Sequence, residues 1–324
     1  MELVKSEHCM KDPLNKHKYL IPTSSWLKPN KGITTRVIEA IINNSLNVVV
    51  KVSKGDDNKI KYINSLLQNY NNFMRSLCTF SCKEKDINID LNWENANGFC
   101  EGNSERITLS IYKRYLNNFS NMRGKFSLLE IKSILKQSLL SQIEVFLDTG
   151  FIHKDIHPGN LFLAKIQNET ITYQLSQPPY NKSIVVGCKV GDTYSKVVIG
   201  DFNECELFNL PDRQKLGLTS YVVEEDKTLL FTLKRTVDTV LQLLNQHEFM
   251  LATNFIKDFL GKPNHESYYY YNQWELKDRR TINRQPEQNW EMYKYHIRGH
   301  GLDFIRGVLR RLYEEDYEGN KYKR

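Results

Sequence analysis

Two hydrophobic rhythms divide the chain. From Tyr19 to Leu116 apolar positions come in short runs: Tyr19-Leu20-Ile21-Pro22, Thr34 to Ile42, Asn47-Val48-Val49-Val50-Lys51-Val52, and Arg106 to Leu116. Rich in β-branched residues and separated by turn clusters at Leu27 to Gly32 and Asn43-Asn44-Ser45, these runs predict strands. A helix is expected over Lys59 to Leu77, with Ile87 to Leu91 and Gly98 to Glu101 short and mixed. Beyond the polar stretch Asn117 to Asn121 the period changes. Leu128, Ile131, Leu135, Leu139, Ile143 and Phe146 recur at helical spacing and predict one long buried helix. Short strands are expected at Leu161 to Lys165 and Val197 to Ile199. Between them Ile171 to Leu175 and Ile184 to Val186, split by Gln177 to Asn181, predict an inserted hairpin over about 166–195, read by default as a surface insertion. Helices are predicted at Thr236 to Leu244, Phe249 to Leu260, Trp290 to His296 and Leu302 to Glu315, with a tyrosine-rich turn at Tyr268 to Tyr271 read as packing aromatics. The pattern is that of an α+β protein with a loose polar leader (1–18), a β-rich part (19–116) and a larger helical part (117–324).

Composition narrows the picture only a little. At 324 residues, 40% hydrophobic and 26% charged, the chain can bury a sizeable core. The net charge of +7 is scattered and reads as a solvated surface, and the Lys321-Tyr322-Lys323-Arg324 ending is too short for a nucleic-acid arm. No apolar run reaches the length of a membrane span. The six cysteines (Cys9, Cys78, Cys82, Cys100, Cys188, Cys205) show no paired C-x-x-C spacing, and the N-terminus does not resemble a signal peptide. Reduced thiols and a soluble protein in the cytoplasm are expected, with oligomeric state left open.

The candidate chemistry lies in Phe151 to Lys165, which reads FIHKDIHPGNLFLAK. Pro158 and Gly159 force a turn between Asp155 and Asn160, so a carboxylate and an amide can serve one site. Such a pair suits phosphoryl transfer: the carboxylate orients a hydroxyl proton, and the amide oxygen helps hold a divalent cation. Further on, the apolar run Val197-Val198-Ile199-Gly200 ends at Asp201-Phe202-Asn203, placing a second carboxylate at the end of a strand.

The order helix, His153-Lys154-Asp155 loop with Asn160, strand, then strand ending in Asp201-Phe202-Asn203 resembles the protein-kinase-like superfamily. The resemblance implies a two-lobed fold, a small β-rich N-lobe and a larger helical C-lobe, and dependence on ATP and Mg²⁺. It implies Asp155 as the residue that positions the hydroxyl, Asn160 and Asp201 as magnesium ligands, and Lys51 as the lysine that steadies the phosphates. Lys113 to Leu116, Lys113 and Tyr115 among them, would line the nucleotide slot, and Asp238 would hold the backbone of the loop.

The chain departs from the pattern in several places. Ser24 to Gly32, where a glycine-rich lid should lie, has one glycine, and the helix after Lys51 lacks the expected Glu, leaving Gln68 as the nearest substitute. Asn203 stands for the usual glycine, as the residue that best tolerates positive φ after it. Gly217, Tyr221 and Glu225 resemble the end of an activation segment, where Glu225 would pair with Arg298, Arg306 or Arg310. The function expected is a serine/threonine protein kinase acting on a protein substrate. His157, in a catalytic-loop position usually held by Lys, and the run His157-Pro158-Gly159-Asn160 are similar to aminoglycoside and choline phosphotransferases, so a small-molecule kinase is the alternative. A pseudokinase acting as a binding protein is the third reading, motivated by the missing Glu. Richness in Asn, Lys, Ile and Tyr accords with an AT-rich genome, and divergent kinases of this size are familiar in large DNA viruses, which would put the protein in a host cytoplasm.

Overall fold

The computed structural model describes residues 20–22, 35–42, 46–54, 58–83, 106–177, 180–207, 229–260, 301–316 and 319–321. Its contacts divide the chain into two compact units, the second of which takes up the short segment Tyr70–Phe73 as well as everything from Leu116 onwards.

The first unit is an antiparallel sheet in the order β1-β2-β3-β5-β4, built from β1 (Leu20–Pro22), β2 (Thr35–Ile42), β3 (Leu46–Lys54), β4 (Ser76–Lys83) and β5 (Arg106–Lys113). One helix, α1 (Asn58–Leu67), joins β3 to β4 and buries Ile60, Ile63 and Leu67. The β3–β5 register alternates Val48, Val50 and Val52 with Val49, Lys51 and Ser53, so Lys51 shares a face with its partner Ser110. The helix is shorter than the apolar spacing predicts. It stops at Leu67 and gives way to β4 at Ser76, because the run Gln68-Asn69-Tyr70-Asn71-Asn72 favours turns and Asn72 spends its polar groups elsewhere.

The second unit is organised on α2 (Leu128–Thr149). Ser127 caps its start through a capping box, Oγ accepting from the Glu130 amide while Glu130 accepts from the Ser127 amide. Gly150, at φ 73°, ends it by donating to the Phe146 carbonyl, a left-handed turn that costs glycine least. Ile131, Ile134, Leu135, Leu139, Leu140, Val145 and Phe146 are fully buried, so the helix is a central rod rather than a surface element. Against it lie β6 (Phe151–Ile152), the hairpin of β8 (Thr170–Gln177) and β9 (Tyr180–Gly187), β10 (Lys189–Val190) and β11 (Thr193–Ile199), while β7 (Leu161–Lys165) pairs with β11 and β12 (Glu206–Leu207) with β6. The helices α3 (Leu229–Leu241), α4 (Gln246–Leu260) and α5 (301–313) complete the unit.

The inserted hairpin departs from a surface insertion. Tyr173 and Leu175 are fully buried and Ile171, Ile184 and Val186 nearly so, while Thr172, Gln174 and Val185 face water. Its two-residue alternation buries one whole face in the core. Glu315, past the end of α5, is buried between Lys132 and Lys136 of α2 and ties the far end of the chain to the rod. Cysteine chemistry also differs from expectation: Cys188 and Cys205 are buried thiols outside any disulfide, but Cys78 is disulfide-bonded. A disulfide requires proximity in space rather than in sequence, which the absence of C-x-x-C could not exclude. Among the described residues no helix is long and apolar enough to cross a membrane.

Candidate active site

The antiparallel register of β7 with β11 pairs Leu161 with Ile199. One step beyond, the Gly200 amide donates to the Asn160 carbonyl at 2.9 Å, so the two chain segments expected to carry chemistry lie side by side. Asn160 is buried, its amide donating to the Asp155 carbonyl at 3.0 Å and to the Asp155 carboxylate at 3.4 Å. With Nδ2 spent on Asp155, the Asn160 Oδ1 is left as an oxygen donor for a cation. The turn is closed by the Asn160 amide on the His157 carbonyl at 2.9 Å. A Cβ at Gly159 would come within 2.8 Å of the His157 ring, which would have to shift to make room for it.

His153 is the buried support of the loop. Its Nε2 lies 2.8 Å from the Gly200 carbonyl, which can only accept, so Nε2 carries the proton and Nδ1 accepts from the Asp155 amide at 3.3 Å. Burial pushes its pKa below the ordinary value, outweighing the hydrogen bond to Gly200 and the charges of Asp201 and Asp155 that push the other way. The neutral ring packs edge-on against Phe202 and Phe151, beneath the loop. Ile156 is also buried, so His153 and Ile156, three positions apart, anchor the loop while Asp155, with its side chain 49% exposed, faces out.

Two residues of the site are in the left-handed region without being glycine: Lys154 at φ 65° and Asp201 at φ 63°. Such conformations persist only where the surroundings impose them. At Lys154 the constraint is an ion pair of 2.5 Å with Glu206 on β12, both side chains largely buried. The left-handed turn expected at Asn203 is made by Asp201 instead, and Asp201 is exposed. His157 lies with Nε2 3.6 Å from the Asp155 carboxylate, both half exposed, and its Nδ1 accepts from the Gly159 amide.

Lys51 belongs to the other unit and is 8% exposed. The registers place Val37, Lys51, Ser110 and Thr79 in one row across the sheet. The polar residue α1 sends to this row is Asn64, which donates to Thr79 at 2.8 Å and to Ser110 at 3.4 Å and accepts from the Tyr112 hydroxyl at 3.0 Å. Gln68, the expected substitute for the missing Glu, is exposed and donates to the Ser76 carbonyl at 3.5 Å. Asn64 was legible as a helix position one turn before Gln68, but only the packing shows which turn of α1 faces the strand. Lys113 ends β5 and is exposed, whereas Tyr115 is half-buried, its phenol pushed up by burial against the opposing charge of Arg75.

Asp238 does not hold the loop. It is exposed on α3 and accepts from Gln242, in the turn just past the end of that helix, at 3.3 Å. A hydrogen bond between α3 and the rod is made at Thr236, which accepts from Gln142 at 2.8 Å. Ser24 to Gly32, Gly217, Tyr221, Glu225, Arg298 and the Tyr268 to Tyr271 turn lie outside the described residues. Of the arginines expected to meet Glu225, Arg306 pairs with Asp303 at 3.3 Å and Arg310 is exposed.

No family model and no curated protein matches the chain. Among solved structures, a Plasmodium kinase domain aligns over 75% of this chain and 73% of its own at 13% identity with a TM-score of 0.39. An overlap that loose carries no weight for fold or activity, and a viral source finds no support in it.

Proposed function

We propose that the protein is a phosphotransferase using ATP and Mg²⁺, and that it phosphorylates serine or threonine hydroxyls of a protein substrate. The observation that carries this reading is that Asn160 bonds Asp155 through its side chain and Gly200, the residue before Asp201, through its backbone carbonyl. Asp155, exposed and oriented by the Asn160 amide, accepts or orients the proton of the attacking hydroxyl. Asn160 Oδ1 and the Asp201 carboxylate are hard oxygen donors of the kind Mg²⁺ takes, one or two from protein with the rest from phosphate and water. Bound magnesium supplies neutralisation of the phosphate oxygens. Neutral His153 holds Gly200 and Asp155 to each other without adding a charge. Lys51, in the first unit, steadies the phosphates.

A small-molecule phosphotransferase is the second reading, favoured by the His157 imidazole standing beside the Asp155 carboxylate. Incubating purified protein with labelled ATP and Mg²⁺, with and without generic protein acceptors and small alcohols, tests both. Phosphate mapped to serine or threonine supports the first reading and transfer confined to small alcohols the second. No transfer to any acceptor, with nucleotide still bound, would leave a binding protein.

A further inference from the structure

The inserted hairpin is attached to the unit by more than apolar packing. Ser133 of α2 donates to the Gly187 carbonyl, and the Gln174 amide donates to buried Glu144 of α2 at 2.6 Å. The Tyr173 hydroxyl, on the buried face, donates to Asn72 Oδ1 at 2.8 Å. Burial keeps that phenol well above its ordinary pKa, so the hydroxyl remains a donor. Asn72 in turn donates through Nδ2 to the Val197 carbonyl at 2.9 Å, and its own carbonyl accepts from the Ile199 amide at 2.7 Å. Gln137 completes the set, Oε1 accepting from the Val197 amide at 2.9 Å and from Asn72 at 3.3 Å. Tyr173, Asn72 and Gln137 are each at most 1% exposed.

These bonds, at Val197 and Ile199, occupy the edge of β11 that β7 does not pair, ending two residues before Asp201. The strand is thereby held from both sides immediately before the strained residue at φ 63°. We propose that Tyr173, on the inserted hairpin, is a positioning residue for Asp201: through Asn72 it fixes the outer edge of β11 and with it the turn that carries the carboxylate. The inference rests on the reading of Asp201 as a metal-holding group. It gives the insertion a role in the site that a hairpin laid on the surface would not have. Removing the hydroxyl leaves Asn72 Oδ1 buried without its donor, and Asn72 is then free to turn away from Val197.

The test compares wild type, Tyr173→Phe and Ser183→Ala, the last breaking an exposed hydrogen bond to Gln174 within the same hairpin. Amide exchange is followed at Val197 and Ile199 against α3 as reference, and Mn²⁺ affinity is measured by water-proton relaxation with a non-hydrolysable ATP analogue. In Tyr173→Phe, exchange at Val197 and Ile199 is expected to rise relative to α3 and Mn²⁺ to bind about fivefold more weakly, the loss of one buried hydrogen bond. Ser183→Ala is expected to change neither. Faster exchange with unchanged Mn²⁺ affinity would reduce the hairpin to a structural support and overturn the proposal. Weaker Mn²⁺ binding without faster exchange would overturn the route through β11. Failure of wild type to bind Mn²⁺ would overturn the reading of Asp201 itself, and with it the metal half of the proposed function.

Discussion

The two units hold their candidate chemistry in different ways. Around Asp155 and Asp201 the backbone is bent into two left-handed residues, Lys154 paired with the distant Glu206 and Asp201 following Gly200, whose carbonyl accepts from a buried neutral histidine. Around Lys51 the backbone is an ordinary antiparallel ladder, and the side chains across the row are Val37, Ser110 and Thr79, the last two bridged by Asn64. Strain in the one and regular pairing in the other point to where positions are specified tightly. The loop unit spends stability to fix two carboxylates, whereas the sheet unit offers a buried lysine on a face any antiparallel sheet could supply. Preorganisation for the proposed reaction is therefore concentrated in the second unit.

The largest test of that contrast is in turnover. Asp155→Asn and Asp201→Asn are expected to lower phosphoryl transfer by about a thousandfold or more with little change in folding, since both carboxylates are solvent-facing and Asn tolerates positive φ. Lys51→Met is expected to cost less, about a hundredfold. Rates from labelled ATP check the order, and equal losses would erase the distinction between the units.

Stability gives the next effect. Lys154→Met leaves Glu206 as a buried unpaired charge and relaxes the left-handed turn, so thermal or denaturant unfolding should show a loss of about 3–5 kcal/mol. A loss below about 1 kcal/mol would mean that the turn is set by its backbone alone.

Within the sheet unit the expected changes are smaller. Asn64→Ala removes the acceptor of the Tyr112 hydroxyl and weakens the contacts of Thr79 and Ser110, for about 1–3 kcal/mol. Gln68→Ala, at an exposed position, should stay within about 0.5 kcal/mol. Reversal of that order by chemical denaturation would restore Gln68 as the residue facing the strand.

The finest distinction is in pH dependence. His153 has a folded pKa below the ordinary value of 6.5, so the unfolded chain takes up more protons and stability falls as pH drops below about 6.5. Glu144 behaves oppositely: burial raises its pKa to about 7, so its contribution is present at acid pH and is lost as pH rises through about 7. Glu144→Gln should remove the alkaline-side loss while leaving the acid-side fall, as read from unfolding midpoints between pH 5 and about 8.5. An unchanged profile on both sides would show that Glu144 does not titrate in this range.

Several elements could be read from sequence because their causes are local. The capping box and spacing of α2, the β-branched runs of β2, β3 and β5, the alternation of the β8–β9 hairpin and the Pro158-Gly159 turn all depend on residues within a few positions of one another. Asp155 and Asn160 were nameable as a pair for the same reason, since a turn of that composition brings them together whatever surrounds it. Partners distant in sequence could not be read this way. Tertiary packing alone decided that α1 faces the Lys51 row with Asn64 rather than Gln68, that Asp238 points to water, and that Asp201 rather than Asn203 takes the positive φ. It also made the hairpin part of the site's support through Tyr173 and Asn72, 101 residues apart. Periodicity tells which face of an element is apolar, but a hydrogen bond needs a partner within about 3 Å, and the sequence alone does not specify that distance between residues so far apart.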